Sequence, residues 1–195
     1  MPEPVLPLMH GRSGHFRLES GHHGDLRLDP DAVFVRPTRL LPLVRTLADR
    51  LARHRIDLVC GPLTGGAFLA QLIAAELDVD FCCTERVAAP QADELFSARY
   101  ELVGAAIAPG CRVAIVDDVI NAGSAVRSTV ACLQDRAAAP TVLGALLVLG
   151  SSAAGLAASL GVPLESLERA EASLWSPSDC PACAAGVPLE DVTAG

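Results

Sequence analysis

One stretch, Val113-Ala-Ile-Val-Asp-Asp-Val-Ile-Asn-Ala-Gly-Ser-Ala-Val-Arg-Ser-Thr129, restricts the fold of this chain more than any other. Val113 to Val116 form a short unbroken apolar run, which suits a strand covered by helices on both faces. Asp117 and Asp118 stand where such a strand is expected to end. In open α/β sheets ligands bind at the carboxyl ends of strands, so the pair occupies the place for chemistry. Asn121-Ala-Gly-Ser-Ala125 follows, with little side-chain bulk. Backbone N–H groups there can close around an anion, and the helix that opens adds the positive end of its dipole. An ionised Asp only accepts hydrogen bonds, which matches the vicinal hydroxyls of a ribose. Taken together, the string suits a ribose 5-phosphate. The plainer reading is a core strand and an ordinary polar loop with Ser124 as a helix N-cap. The chain has no G-x-x-x-x-G-K-[ST] and no G-x-G-x-x-G after a strand, which removes two other phosphate-binding motifs.

Periodicity around this string predicts an α/β chain. Leu40, Leu41, Val44, Leu47, Ala48 and Leu51 recur at helical spacing, predicting a helix from Thr38 to His54 with Pro42 tolerated in its first turn. Ile56 to Cys60 reads as a strand, Gly61 to Gly66 as a loop, Ala67 to Leu77 as a helix and Asp80 to Thr84 as a strand. Residues 85–109 lose periodicity and suit a loop or hairpin. The helix after the signature runs to about Ala137, and Thr141 to Leu149 reads as another buried strand. Alternating strands and helices build a parallel sheet with right-handed crossovers, hence a three-layer fold with a central, mostly parallel sheet. The expected organisation is one domain over residues 1–195: a small hood or cover (1–37), the core (38–170) and an irregular Cys-containing tail (171–195).

The 195 residues can bury a substantial core, and 51% of them are hydrophobic. A net charge of −8 argues against nucleic acid as a partner. No long apolar span predicts a membrane segment, and residues 1–15 lack the pattern of a signal peptide. The expectation is a cytoplasmic protein whose seven cysteines are reduced thiols. All 15 basic residues are arginine.

Two further groups bear on metals. Cys180-Pro-Ala-Cys183 is a half-site that points two thiolates at one ion, a possible structural zinc site short of its four ligands. No second CxxC exists, so the missing ligands would come from Cys60, Cys82, Cys83, Cys111, Cys132 or another subunit; the other reading is a thiol pair or labile disulfide. His15, His22 and His23 have no carboxylate or Cys at a convincing ligand spacing.

The Val113–Thr129 string resembles the phosphoribosyl-pyrophosphate (PRPP) signature of type I phosphoribosyltransferases. Gly14-His-Phe-Arg-Leu-Glu-Ser-Gly21 resembles the hood box of the orotate branch, and a Trp-Ser-Pro and Cys-Pro-x-Cys tail is similar to that of orotate-type members. The resemblance implies transfer of ribose 5-phosphate from PRPP to a nucleobase, orotate or a related base, with release of pyrophosphate. It implies Mg²⁺ held through PRPP with Asp117 and Asp118, and a homodimer. Asp117 and Asp118 are then the catalytic carboxylates, and Asn121, Ala122, Gly123, Ser124 and Ala125 bind the 5-phosphate. Leu63, Thr64, Gly65 and Gly66 hold the pyrophosphate, and Phe16, Ser20 and Gly21 build the hood over the base.

Three departures bear on activity. The family's Lys- and Arg-rich loop corresponds here to Thr84-Glu-Arg86 onward, with Gln91, Asp93, Glu94 and Arg99, and no lysine. Arg86 and Arg99 either replace part of the charge that stabilises the departing pyrophosphate or are solvated loop residues. Glu19 and Gly65 stand where some members carry lysine. Leu149-Gly-Ser151 replaces the usual Asp-Arg, whose arginine clamps the orotate carboxylate. These losses motivate an alternative, a non-catalytic PRPP- or nucleotide-sensing protein on the same fold.

Overall fold

The computed structural model describes residues 4–17, 21–87, 99–104 and 106–191. The chain opens with one helical turn, α1 (Val5–Leu8), a hairpin of β1 (Arg12–Arg17) and β2 (His23–Arg27), and a 3-10 turn at Pro30–Phe34. Next come α2 (Pro37–Leu51), β3 (Leu58–Pro62), α3 (Gly65–Leu77), β4 (Asp80–Val87), β5 (Arg99–Gly104) and β6 (Arg112–Ile120). They are followed by α4 (Ser124–Gln134), β7 (Ala139–Leu149), α5 (Ser152–Leu160) and β8 (Leu164–Ala170). The last part holds β9 (Leu174–Trp175), a 3-10 turn at Pro177–Asp179, α6 (Pro181–Ala184) and β10 (Glu190–Asp191).

A six-stranded sheet in the order β5-β4-β3-β6-β7-β8 forms the middle layer. All its pairings are parallel except β4 with β5. Strand residues alternate between two cores. Val59, Ala114, Val116 and Val142 face the core shared with α2 and α3, whereas Leu58, Cys60, Val113, Ile115 and Leu143 face that of α4 and α5. This two-sided burial is why Val113 to Val116 are apolar without interruption.

α2 presents Leu40, Leu43, Val44, Leu47 and Leu51 to the sheet, the i, i+3, i+4 stripe of an amphipathic helix. Each fully buried leucine contributes roughly 1.5–3 kcal/mol relative to an exposed one. Pro42 is exposed in the second turn, one turn later than the sequence reading places it, because the helix begins at Pro37. Its position on the solvent side keeps the ring away from packed neighbours.

Two expectations need correction. The tail is not an irregular appendage: β9 and β10 flank the hairpin to make a second sheet, ordered β10-β1-β2-β9. β9 and β10 thus join the sheet that β1 and β2 begin, a pairing between distant parts of the chain that local sequence does not record. The signature strand also continues past its acids to Ile120, because β7 keeps pairing with it up to Ile120 opposite Val148.

Candidate active site

The two neighbours of β6 part company with it at different heights. β3 pairs with β6 only as far as Cys60 opposite Ile115, whereas β7 stays with it to the end. Beyond Ile115 the β3 side of β6 is therefore open. The chain runs from β3 outward to β4 on one side and returns to β6 on the other, so this gap is the topological switch point of the sheet, where α/β folds bind ligands. Asp117 and Asp118 lie in this gap.

The glycine loop forms the facing wall. Leu63 N–H donates to the Thr84 carbonyl at 2.8 Å, and the Leu63–Thr64 peptide is cis. α3 begins at Gly65, with its first turn against the acids: a methyl at Gly65 would lie 2.0 Å from Asp118 Oδ2, and one at Gly66 2.7 Å from Asp117 Oδ1. Gly61 is equally constrained, since a methyl there would sit 2.1 Å from the Gly66 carbonyl oxygen. Only bare backbone fits at these three positions.

Asp118 is 8% exposed and Asp117 is half-buried. The Asp118 N–H donates to Asp117 Oδ1 at 3.1 Å, and the Val119 N–H to Asp118 Oδ1 at 2.7 Å. Burial, then the neighbouring Asp118 charge, push the Asp117 carboxyl well above the usual carboxylate range. Burial also pushes Asp118 up, against the Val119 N–H that favours its charged form. Two acids so placed are unfavourable as bare carboxylates, and hydroxyl donors or a cation would stabilise the charged pair. Oxygen-only donors of this kind fit Mg²⁺.

On the other flank, Gly123 takes the left-handed conformation (φ 74°) that turns the chain into α4. Ser124 is the first helical residue, and no side chain caps the helix. The Ser124 N-cap reading is thus overturned. The Thr84 and Thr129 hydroxyls, both fully buried and 2.6 Å apart, tie β4 to α4 beneath this turn.

Arg86 is exposed near the end of β4, opposite Tyr100 of β5, and Arg99 pairs with Val87. Gln91, Asp93 and Glu94 lie outside the described residues, as do Glu19 and Ser20. Burial raises the Tyr100 phenol, Arg86 opposes this and the Asp117 charge adds to it, so the hairpin end is within electrostatic reach of the acids. Asp31, in the 3-10 turn, likewise raises Asp118. That turn docks on α3 through Phe34 and Phe68, whose rings are 5.6 Å apart. Sequence reading missed Tyr100 and Asp31 because nothing local marks either.

Phe16 is 1% exposed, packed against Gly14 and beneath the Arg12 guanidinium, while Gly21 is exposed at the hairpin turn. Leu149-Gly-Ser151 ends β7 with the Gly150 N–H bonded to the Ala170 carbonyl; none of these three residues is arginine, and the nearest one in the sheet register is Arg169 of β8, opposite Val148. Cys60 and Cys82 lie in the core under α4 and α5, with Cys111 against it, so they do not complete the Cys180–Cys183 half-site. Instead His15 and His23 lie beside those two cysteines, which corrects the reading of the histidines as lacking a cysteine partner. No helix of the described residues is long and apolar enough to cross a membrane.

The family described as "Phosphoribosyl transferase domain" matches residues 38–169. The orotate phosphoribosyltransferase of Pelotomaculum thermopropionicum is 36% identical over 176 residues, covering 90% of this chain and 86% of that protein. That of Caldanaerobacter subterraneus is 31% identical over the same shares. The crystal structure of orotate phosphoribosyltransferase from Aeropyrum pernix superposes with a TM-score of 0.64 at 23% identity, covering 82% of this chain and 87% of that one. The adenine phosphoribosyltransferase of Thermoanaerobacter pseudethanolicus gives 0.68 at 19%, covering 85% and 98%. At these identities the two structures share the fold with this chain.

Proposed function

The chain belongs to the phosphoribosyl transferase domain family, and on that premise we propose that it moves ribose 5-phosphate from PRPP to a ring nitrogen of a nucleobase, orotate or a related base. The observation that carries this reading is the Asp117–Asp118 pair, set in the sheet's switch point against a wall of bare glycine backbone. The two carboxylates accept hydrogen bonds from the ribose hydroxyls. As C1 gains positive character, their charge is already in place beside it, with no reorganisation required. The N–H groups of Asn121–Ala125 and the α4 dipole hold the 5-phosphate. Those of Leu63–Gly66 and the first turn of α3 hold the pyrophosphate, with Arg86 adding positive charge from the hairpin. Asp117 and Asp118 would hold Mg²⁺ together with PRPP, and the ion would supply charge neutralisation for the leaving pyrophosphate. Catalysis then rests on positioning and charge, and no protein nucleophile is required.

The missing arginine at Gly150–Ser151 bears on the base. A bidentate clamp for a carboxylate is absent from that position, which favours a related base as well as orotate. The lysine-free segment 84–99 favours a second reading, a protein that binds PRPP without turnover. We place the protein in the cytoplasm as a homodimer; sedimentation velocity giving only monomer sinks the dimer.

Calorimetric titration with Mg²⁺-PRPP tests the shared premise. Binding is expected for the natural chain and lost in Asp117→Asn/Asp118→Asn; equal binding by both refutes the site. Pyrophosphate release is then measured with orotate, uracil, xanthine, hypoxanthine and adenine. Release with one of them supports the transferase, and PRPP binding without release from any leaves the sensing reading.

A further inference from the structure

We propose that His15, His23, Cys180 and Cys183 hold one structural zinc ion that fastens the C-terminal tail to the hood. Among the described residues these four form the one group whose ligand atoms converge, all within 4.8 Å of one another. His15 and His23 come from β1 and β2; Cys180 precedes α6 and Cys183 lies within it, more than 150 residues away in sequence.

Four of the six separations lie within about 0.4 Å of tetrahedral edges. With Zn–N near 2.05 Å and Zn–S near 2.3 Å, the edges should be about 3.3 Å for N···N, about 3.6 Å for N···S and about 3.8 Å for S···S. His15 Nε2 and His23 Nδ1 are 3.3 Å apart. His15 Nε2 is 3.3 Å from Cys180 Sγ and 3.6 Å from Cys183 Sγ, and Cys183 Sγ is 3.2 Å from His23 Nδ1.

The tautomer of His15 fits as well. Its Nδ1 lies 2.9 Å from the Val187 carbonyl, which can only accept, so Nδ1 carries the proton and Nε2 turns its lone pair toward the cluster. Such an outer hydrogen bond is the usual support of a metal-bound imidazole. The Val187 N–H in turn donates to the Ala182 carbonyl at 2.9 Å, folding the CPAC turn back onto β1.

Donor chemistry selects the ion. Two thiolates and two imidazoles in a tetrahedron suit Zn²⁺, and the two thiolate charges neutralise it. Four protein ligands leave no open position, so the role is structural. The need is visible in the pairing: β9 and β10 are two residues each and meet the hairpin at only His23–Gly24 and Phe16–Arg17. His15, His23 and Cys180 are 5%, 4% and 3% exposed, whereas Cys183 is exposed and gives the ion a way in. The site is independent of which base the active site accepts.

The test uses the full chain purified under reducing conditions. Elemental analysis should find one zinc per chain, and Co²⁺ in its place should give the d–d and thiolate charge-transfer bands of a tetrahedral sulfur site. Cys183→Ser should weaken the metal by more than about 100-fold, exceeding the loss typical of an outer-shell partner; Cys132→Ser should not. Chelation should lower Tm, with recovery on adding Zn²⁺ but not Mg²⁺. A reduced, folded natural chain with no tetrahedral Co²⁺ spectrum overturns the proposal, as does isolation of a metal-free Cys180–Cys183 disulfide from anaerobic lysate. The natural-chain spectrum decides the matter even if a variant fails to fold.

Discussion

Gly61→Ala probes whether the glycine loop and the acids form one packed unit. The added methyl would meet the Gly66 carbonyl oxygen at 2.1 Å, the Gly66 carbonyl carbon at 2.4 Å and the Val116 carbonyl oxygen at 2.9 Å. All three atoms are backbone, so no side-chain rotation relieves the clash. The shortest contact falls about 0.9 Å below the 3.0 Å floor for real Cβ contacts, so β3 and the start of α3 must separate by about that much. Overpacking of this kind costs typically about 1–3 kcal/mol. In a domain of this size that lowers Tm by roughly 3–10 °C. The same shift draws the Gly65–Gly66 amides away from Asp117 and Asp118, and a misplacement of about 1 Å can lower a rate about 100-fold. Gly155→Ala is the control. Gly155 is exposed inside α5 with no atom within 4 Å of the added methyl, so the change should stabilise by about 0.5–1 kcal/mol. Thermal denaturation and PRPP calorimetry on both variants read the difference. Gly61→Ala with natural Tm and PRPP affinity, or Gly155→Ala falling as far, refutes the close-approach argument.

Four other outcomes are expected. Because burial raises both Asp117 and Asp118, the native state binds more protons than the unfolded chain between their ordinary and raised values. Stability of the ligand-free protein should therefore fall as pH rises through the raised values, and Asp117→Asn should flatten that slope in denaturant titrations while raising Tm at neutral pH. Asp57, held at about 2 by its hydrogen bonds from Arg112, acts in the opposite sense. Its contribution is complete above 3.8 and fades as pH falls toward 2, so an Asp57→Asn difference should appear above that window and vanish below it. Thr129→Val leaves the buried Thr84 hydroxyl without its partner and should cost about 1–3 kcal/mol, whereas Thr84→Val/Thr129→Val should cost less than the two single changes together. Additive costs in that cycle would show the hydroxyl pair to be uncoupled. Leu47→Ala, in the fully buried stripe of α2, should cost about 2–5 kcal/mol in urea denaturation.

What was legible in the sequence was what repeats locally. The apolar stripe of α2 and the continuous runs of β6 and β7 report their own burial, because period and composition answer to the surfaces an element covers. The acid pair and the small-residue turn were readable for the same reason: neighbours in sequence make neighbours in the site. β8, the length of β6 and the start of α4 at Ser124 were not, since each is set by a pairing partner or by a glycine in the left-handed conformation. The 3-10 turn carrying Asp31 and the β5 residue Tyr100 reach the acids only through packing.

The sequence by itself determined a parallel α/β sheet and an acid pair, Asp117 and Asp118, followed by a small-residue turn into a helix. Tertiary structure alone decided that these acids stand in the gap where β3 leaves β6, and that the tail joins the sheet of β1 and β2. It alone brought His15 and His23 to Cys180 and Cys183, more than 150 residues apart. Local pattern encodes the surface an element must bury, whereas contacts across such distances follow from how the buried surfaces fit together.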